Sequence, residues 1–204
     1  MEEKEIIKQV ANLFHRYGIK SVTMDDVAHE LGISKKTLYG IFSDKSDLVS
    51  KTIKIQMEYQ KEKFIEATQN VNNAMDEMFG IFKHYLQLLK DHFPSFEFDL
   101  KKYYPEIFHN VCIEKREIIQ ENIKNNLIRG KKEGFYRKEL NEEVITKLNI
   151  LRVESLADSK LFTQEELLSP QFGKEMFLYH LYGILSQKGI DYLNKNMDQF
   201  DISK

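Results

Sequence analysis

Bond-making chemistry needs side chains that this sequence does not group. Its one cysteine, Cys112, cannot close an intramolecular disulfide or build a thiolate cluster. Its histidines, His15, His29, His84, His92, His109 and His180, show no metal-ligand spacing. No nucleophile–base set and no glycine-rich phosphate loop is visible. Neither an enzyme nor a cofactor or metal is therefore expected. The chemistry that does stand out is binding chemistry, between positions 28 and 41. Ala28 is small enough to let a second helix approach. Gly32, four residues on, can take the positive φ of a tight turn. Ile33 follows, and Leu38 and Ile41 stand where a second helix would pack back. These are the offsets of a helix-turn-helix, which sets one helix across a DNA backbone and the next in the major groove. A helical hairpin with a tight turn uses the same offsets, so spacing alone leaves both open.

Such residues need helices to carry them, and nearly every segment has helical period. Ile6, Ile7, Val10, Leu13, Phe14 and Tyr17 recur at i, i+3, i+4, and Gly18 is a left-handed stop. Thr23 caps a second helix, with Asp25 and Asp26 at its positive end and Val27, Ala28 and Leu31 on one face. Ser34 caps a short third helix carrying Leu38, Ile41 and Phe42. A longer fourth begins near Asp44, with Leu48, Val49, Ile53, Met57 and Phe64 as its stripe. Met75, Met78, Phe79, Phe82, Tyr85, Leu86 and Leu89 mark a fifth, ended by His92-Phe93-Pro94. Residues 95–108 read as irregular, because Phe96, Phe98 and Leu100 alternate like a strand with none to pair with. A helix with Val111, Ile118, Ile119, Ile123 and Leu127 is expected to run to Gly130. Asn141 caps the next, through about Ala157, and Ser169-Pro170 opens the last. Those two are apolar on more than one face, so a second subunit is expected to cover them.

Bulk properties set limits. The 204 residues allow one or two domains, and 42% hydrophobic with 30% charged is an ordinary globular balance. No apolar run is long enough to span a membrane, and the start Met1-Glu2-Glu3-Lys4-Glu5 is unlike a secretory signal. A cytoplasmic location is expected. Net charge is −2, and residues 1–50 hold seven Lys/Arg against eight Asp/Glu. Any case for DNA must therefore rest on local residues.

The run from Val22 to Leu48 resembles the DNA-binding domain of the TetR family of transcriptional regulators. It matches the family pattern at Thr23, Val27, Ala28, Gly32, Ile33, Ser34, Thr37, Leu38, Tyr39, Phe42, Lys45 and Leu48. The resemblance is sharp over residues 1–60 and only architectural beyond. It implies an all-α chain with an N-terminal three-helix helix-turn-helix domain, residues 1–47. A long helix would join this to a larger helical ligand-binding and dimerisation domain, residues 48–204. By the same resemblance Lys35, Lys36 and Thr37 open the recognition helix. Tyr39 and Lys45 stand where the family contacts phosphate, and Thr23 where it approaches the backbone. Two positions depart from the pattern. Gly40 offers DNA no side chain, and Ile41 cannot donate to a phosphate.

The resemblance also implies a small-molecule pocket in the larger domain. The aromatic candidates for it are Phe79, Phe82, Tyr85, Phe98 and Tyr103. The polar ones, on otherwise apolar helices, are His84, Arg116, Asn149 and Arg152. Two of the polar set facing inward would favour an amphipathic or anionic molecule. Leu148, Leu151, Met176, Tyr179 and Gly183 are the candidates for a four-helix dimer bundle. The expectation is a homodimer that binds a palindromic site in double-stranded DNA, more repressor than activator, with affinity set by an effector. The rival reading is a helical dimer whose helix-turn-helix has degenerated and acts through a protein partner. Gly40, Ile41 and the lack of positive charge motivate it.

Overall fold

The computed structural model describes residues 3–90, 94–158 and 161–202, so the helix end expected at His92-Phe93 lies outside the described residues. The helices, in chain order, are α1 (Glu3–Tyr17), α2 (Met24–Glu30), α3 (Lys35–Tyr39), α4 (Lys45–Thr68), α5 (Ala74–Lys90) and α6 (Pro94–Tyr103). They continue as α7 (Pro105–Glu133), α8 (Glu142–Asp158), α9 (Gln164–Leu167), α10 (Pro170–Ile184) and α11 (Gln187–Lys195), and a 3-10 turn closes at Met197–Phe200. Among the described residues, strand pairing is limited to an isolated bridge between Tyr136 and Leu185. The chain packs as two units, Met1–Glu62 with His92–Ile113, and Lys63–Asp91 with Glu114–Lys204. The division expected at residues 47 and 48 falls inside α4.

The first unit closes around the expected stripes. Ile6, Ile7, Val10, Leu13 and Phe14 are buried, with Val27, Ala28, Leu31, Leu38, Phe42, Leu48, Val49 and Ile53. Tyr17, read as part of the α1 stripe, is instead 56% exposed. Residues 95–108 are not irregular: they form α6 and the start of α7. Phe96, Leu100, Tyr104 and Phe108 recur every fourth residue and pack on this core, while Phe98 points outward. The alternation that resembled a strand joined residues from two faces of a helix.

In the second unit Met75, Met78, Phe79 and Phe82 of α5 are buried with Leu127, Tyr136, Leu181, Ile184, Leu193 and Phe200. α7 passes through Gly130 and ends only at Gly134, where φ is +80°. Gly130 is needed there for space: a Cβ would lie 2.2 Å from the ring of Tyr136. The Tyr136 hydroxyl donates to Asn126 Oδ1 at 2.7 Å, and Asn126 Nδ2 donates to the Ala74 carbonyl at 3.0 Å. These buried polar groups are thus mutually satisfied. Asn141 caps α8 as expected, its Oδ1 accepting from Val144 N–H at 3.0 Å. The helix opened by Ser169-Pro170 is α10, which is not the last, since α11 and the closing 3-10 turn follow it.

Candidate nucleic-acid interface

Three local devices build the α2–turn–α3 segment. At the start of α2, Asp26 N–H donates to Thr23 Oγ1 at 3.2 Å, and Thr23 N–H donates to Asp26 Oδ2 at 2.8 Å. This reciprocal box satisfies two of the backbone donors that a helix start leaves open. At the turn Gly32 has φ +62°, and nothing lies within 4 Å of where a Cβ would be. Its glycine answers to backbone conformation rather than to crowding. Ile33 N–H then donates to the Ala28 carbonyl at 3.0 Å, drawing the chain back against α2. At the start of α3, Ser34 Oγ accepts from Thr37 N–H at 3.0 Å.

Packing decides which face of α3 turns outward. Leu38 and Phe42 are fully buried, and Ile33 and Ile41 are half-buried against the same core. Ile41 therefore serves packing. Gly40 is the C-cap of α3, so the cost of a glycine in a helix interior does not fall on it in full. The opposite face exposes Lys35, Lys36, Thr37 and Tyr39. Tyr39 is 50% exposed although large and aromatic. Lys35 Nζ meets Asp25 Oδ2 at 2.6 Å in an exposed ion pair, whereas Lys36 forms no ion pair among the described residues. The α3 surface thus offers one internally paired lysine, one unpaired lysine, a hydroxyl and a phenol.

Thr23 and Lys45 stand differently. The Thr23 hydroxyl donates to Asp26 Oδ2 at 2.7 Å, so its proton is already used. Lys45 Nζ donates to the Lys20 carbonyl at 3.2 Å. Partial burial holds the Lys45 ammonium below the usual lysine pKa, against the opposing charges of Asp99 and Asp26. Lys51 is a contributor that the motif did not indicate. Its Nζ donates to the Ile41 carbonyl at 3.2 Å and lies 5.0 Å from the Phe42 ring centroid, tying α4 to the end of α3. That contact joins residues ten and nine positions apart, and no local pattern marks it.

The candidates for a small-molecule site divide between the units. Phe98 and Tyr103 are exposed on α6 of the first unit. In the second, Phe79 and Phe82 are core residues, while His84 and Tyr85 are half-buried. The His84 ring meets the Phe64 ring at 5.6 Å, and Tyr85 meets Phe177 at 5.7 Å. Arg116 is exposed and pairs with Glu154 at 2.5 Å, so its charge is balanced. Asn149 and Arg152 come together: Arg152 Nη2 donates to Asn149 Oδ1 at 2.7 Å and Nη1 to the Met176 carbonyl at 2.9 Å. His180 Nε2 lies 3.3 Å from Asn149 Nδ2. Arg152 Nε is buried without a hydrogen-bond partner among the described residues. Burial, aided by the Arg152 charge, pushes His180 down to about 4. A cavity of about 580 Å³ lies elsewhere, lined by Phe135, Lys188, Asp191, Tyr192 and Lys195. Of the dimer candidates, Leu148, Leu151 and Tyr179 are exposed by 56%, 61% and 76%. Met176 is half-buried, and Gly183 is exposed with nothing within 4 Å of a Cβ position. Among the described residues no group of three or more His, Cys, Asp or Glu could hold a metal. No described helix is long and apolar enough to cross a membrane.

Comparison with known proteins adds independent findings. Residues 6–52 match the family model of bacterial regulatory proteins, tetR family. An HTH-type transcriptional regulator of Staphylococcus aureus strain MRSA252 is 30% identical over 92 residues, covering 45% of this chain and 50% of that protein. The chain thus spans about half the length of that relative. Among solved structures, a TetR transcription regulator from Haloarcula marismortui is similar with a TM-score of 0.71 at 15% identity, covering 90% of this chain and 97% of that one. The SmeT–triclosan complex is similar with a TM-score of 0.63 at 13% identity, covering 90% and 91%. At such identities the likeness is one of fold, and it extends over nearly the whole chain.

Proposed function

We propose, from the premise that the N-terminal domain belongs to the tetR family of bacterial regulatory proteins, that this chain is a transcriptional repressor that binds a palindromic DNA operator as a homodimer. The observation that carries the reading is the outward face of α3. Lys36, Thr37 and Tyr39 are exposed on a helix whose opposite side is anchored by the buried Leu38, with Phe42 buried just beyond the helix end. A short helix held in this way can enter a major groove without reorganising. Lys36 is the candidate for a base edge, since lysine pairs with the guanine O6 and N7 acceptors. Tyr39, Thr37 and Lys45 are candidates for the phosphate contacts that set register, whereas Thr23, whose hydroxyl and backbone N–H both donate to Asp26, serves as the cap of α2. Lys35 joins them by giving up its pair with Asp25, an exposed bridge worth little.

Two copies would join through the exposed apolar face of α8 and α10. Leu148, Leu151 and Tyr179 are its centre, with Val144 and Tyr182 beside them. Such a face in a single chain of this size calls for a cover. In the operator-bound dimer the recognition helices would stand roughly 34–36 Å apart, one turn of DNA. A small-molecule effector would act by binding more tightly to a dimer with a different spacing. The solved neighbour bound to triclosan motivates looking for such an effector. The Arg152–Asn149–His180 group, in which Arg152 Nε has no hydrogen-bond partner among the described residues, favours a molecule with an anionic or acceptor end. Selection from random duplex DNA by the purified full chain tests the reading. Enrichment of an inverted repeat supports it. Enrichment of nothing by a folded dimer contradicts it and favours a protein partner.

A further inference from the structure

The α1–α2 loop, residues 18–23, is gripped from two sides within the first unit. Asp99 Oδ2, on α6, accepts from the Lys20 backbone N–H at 2.8 Å, across 79 positions of sequence. The Lys20 carbonyl accepts from Lys45 Nζ of α4 at 3.2 Å. The Lys20 side chain also reaches α6, its Nζ 4.9 Å from the Tyr103 ring centroid. Gly18 leaves the room this needs. Its φ is +80°, and a Cβ there would stand 2.8 Å from Asp99 Oδ2. The carboxylate therefore lies directly against the loop. Three residues beyond Lys20, Thr23 begins the box that starts α2.

We propose that Asp99 is a positioning residue for the DNA-facing surface: it fixes the Lys20 backbone, and through the Lys20 carbonyl it sets where the Lys45 ammonium stands. The inference rests on the reading of Lys45 as a phosphate contact, but its structural half does not depend on DNA. A carboxylate is the acceptor suited to this place, because a charge-assisted bond to a backbone N–H is shorter and stronger than a neutral one. With that acceptor removed, the Lys20 backbone keeps its bond to Lys45, and its tie to α6 passes to the side-chain contact with Tyr103. The loop and the ammonium then move together, and a phosphate contact made by Lys45 loses its fixed origin.

The test compares the full-length protein with Asp99→Ala and Asp99→Asn in two measurements. Amide hydrogen exchange at Lys20 should accelerate by at least about tenfold in Asp99→Ala, with the α2 and α3 amides unchanged. Asn keeps a carbonyl acceptor, so Asp99→Asn should restore most of the protection. On the selected duplex, the slope of log affinity against log salt should fall by about one contact in Asp99→Ala and recover in Asp99→Asn. A fold-destabilising change would lower affinity without altering that slope. Unchanged exchange at Lys20, or faster exchange with an unchanged slope, would overturn the proposal. Should the wild-type protein select no duplex, the proposed function fails, while the exchange measurement still decides whether Asp99 holds the loop. Asp99→Leu, similar in shape and unable to accept, replaces Asp99→Ala if that variant does not fold.

Discussion

Lys36 and Tyr39 differ in what their loss should do. Lys36 is exposed and free of ion pairs among the described residues, so Lys36→Ala leaves the fold intact. If Lys36 reads a base, operator binding should weaken by roughly 1–3 kcal/mol, and selection at one base pair should relax. Tyr39→Phe removes only a hydroxyl. It should cost about 1 kcal/mol, equally on every sequence, as a phosphate contact would. Competition binding on single-substituted operators separates the two patterns. His180 gives a prediction of another kind. Its folded value of about 4 lies below the ordinary 6.5, so between those values the unfolded chain binds the extra proton. Stability should therefore be full above pH 6.5 and fall as pH drops towards 4, by roughly 3 kcal/mol at most. Denaturant titrations across that range should show the loss, and His180→Gln should flatten it.

At the scale of elements, close contact rather than propensity explains where helices run. Gly130 sits inside α7 with the Tyr136 ring against its Cα. Gly130→Ala should therefore destabilise the second unit by roughly 1–3 kcal/mol, despite alanine's better helix propensity, as urea denaturation would show. Much of this level was legible in the sequence, because caps and turns are local chemistry. Thr23, Ser34 and Asn141 cap as their types suggest, and Gly18 and Gly32 take positive φ. Where the sequence misled, the deciding partner was distant. Gly130 resembled a stop because the Tyr136 ring that requires it folds back from beyond Gly134. α6 was hidden because Phe98 interrupts the Phe96–Leu100–Tyr104–Phe108 stripe with an outward aromatic. The grip of Asp99 and Lys51 on the helix-turn-helix carries no local signature either, since each joins residues many positions apart.

For the whole molecule, reading a palindromic operator requires a dimer. α8 and α10 turn Leu148, Leu151 and Tyr179 outward, and burying them between two copies would offset the cost of association. Leu151→Glu should place a charge at the centre of that surface. Sedimentation velocity should then show a monomer, with the helical content unchanged. Operator affinity should fall steeply, since one half-site alone supplies half the contacts. A Leu151→Glu protein that stayed dimeric would remove α8 from the interface.

Whether α3 presents a sequence-reading surface is decided by selection from a pool of random duplexes with the full-length wild-type protein. The expected result is enrichment of an inverted repeat whose half-sites lie one helical turn apart, roughly 34–36 Å, with Lys36→Ala changing the enriched sequence. A folded dimer that enriches no sequence would contradict it.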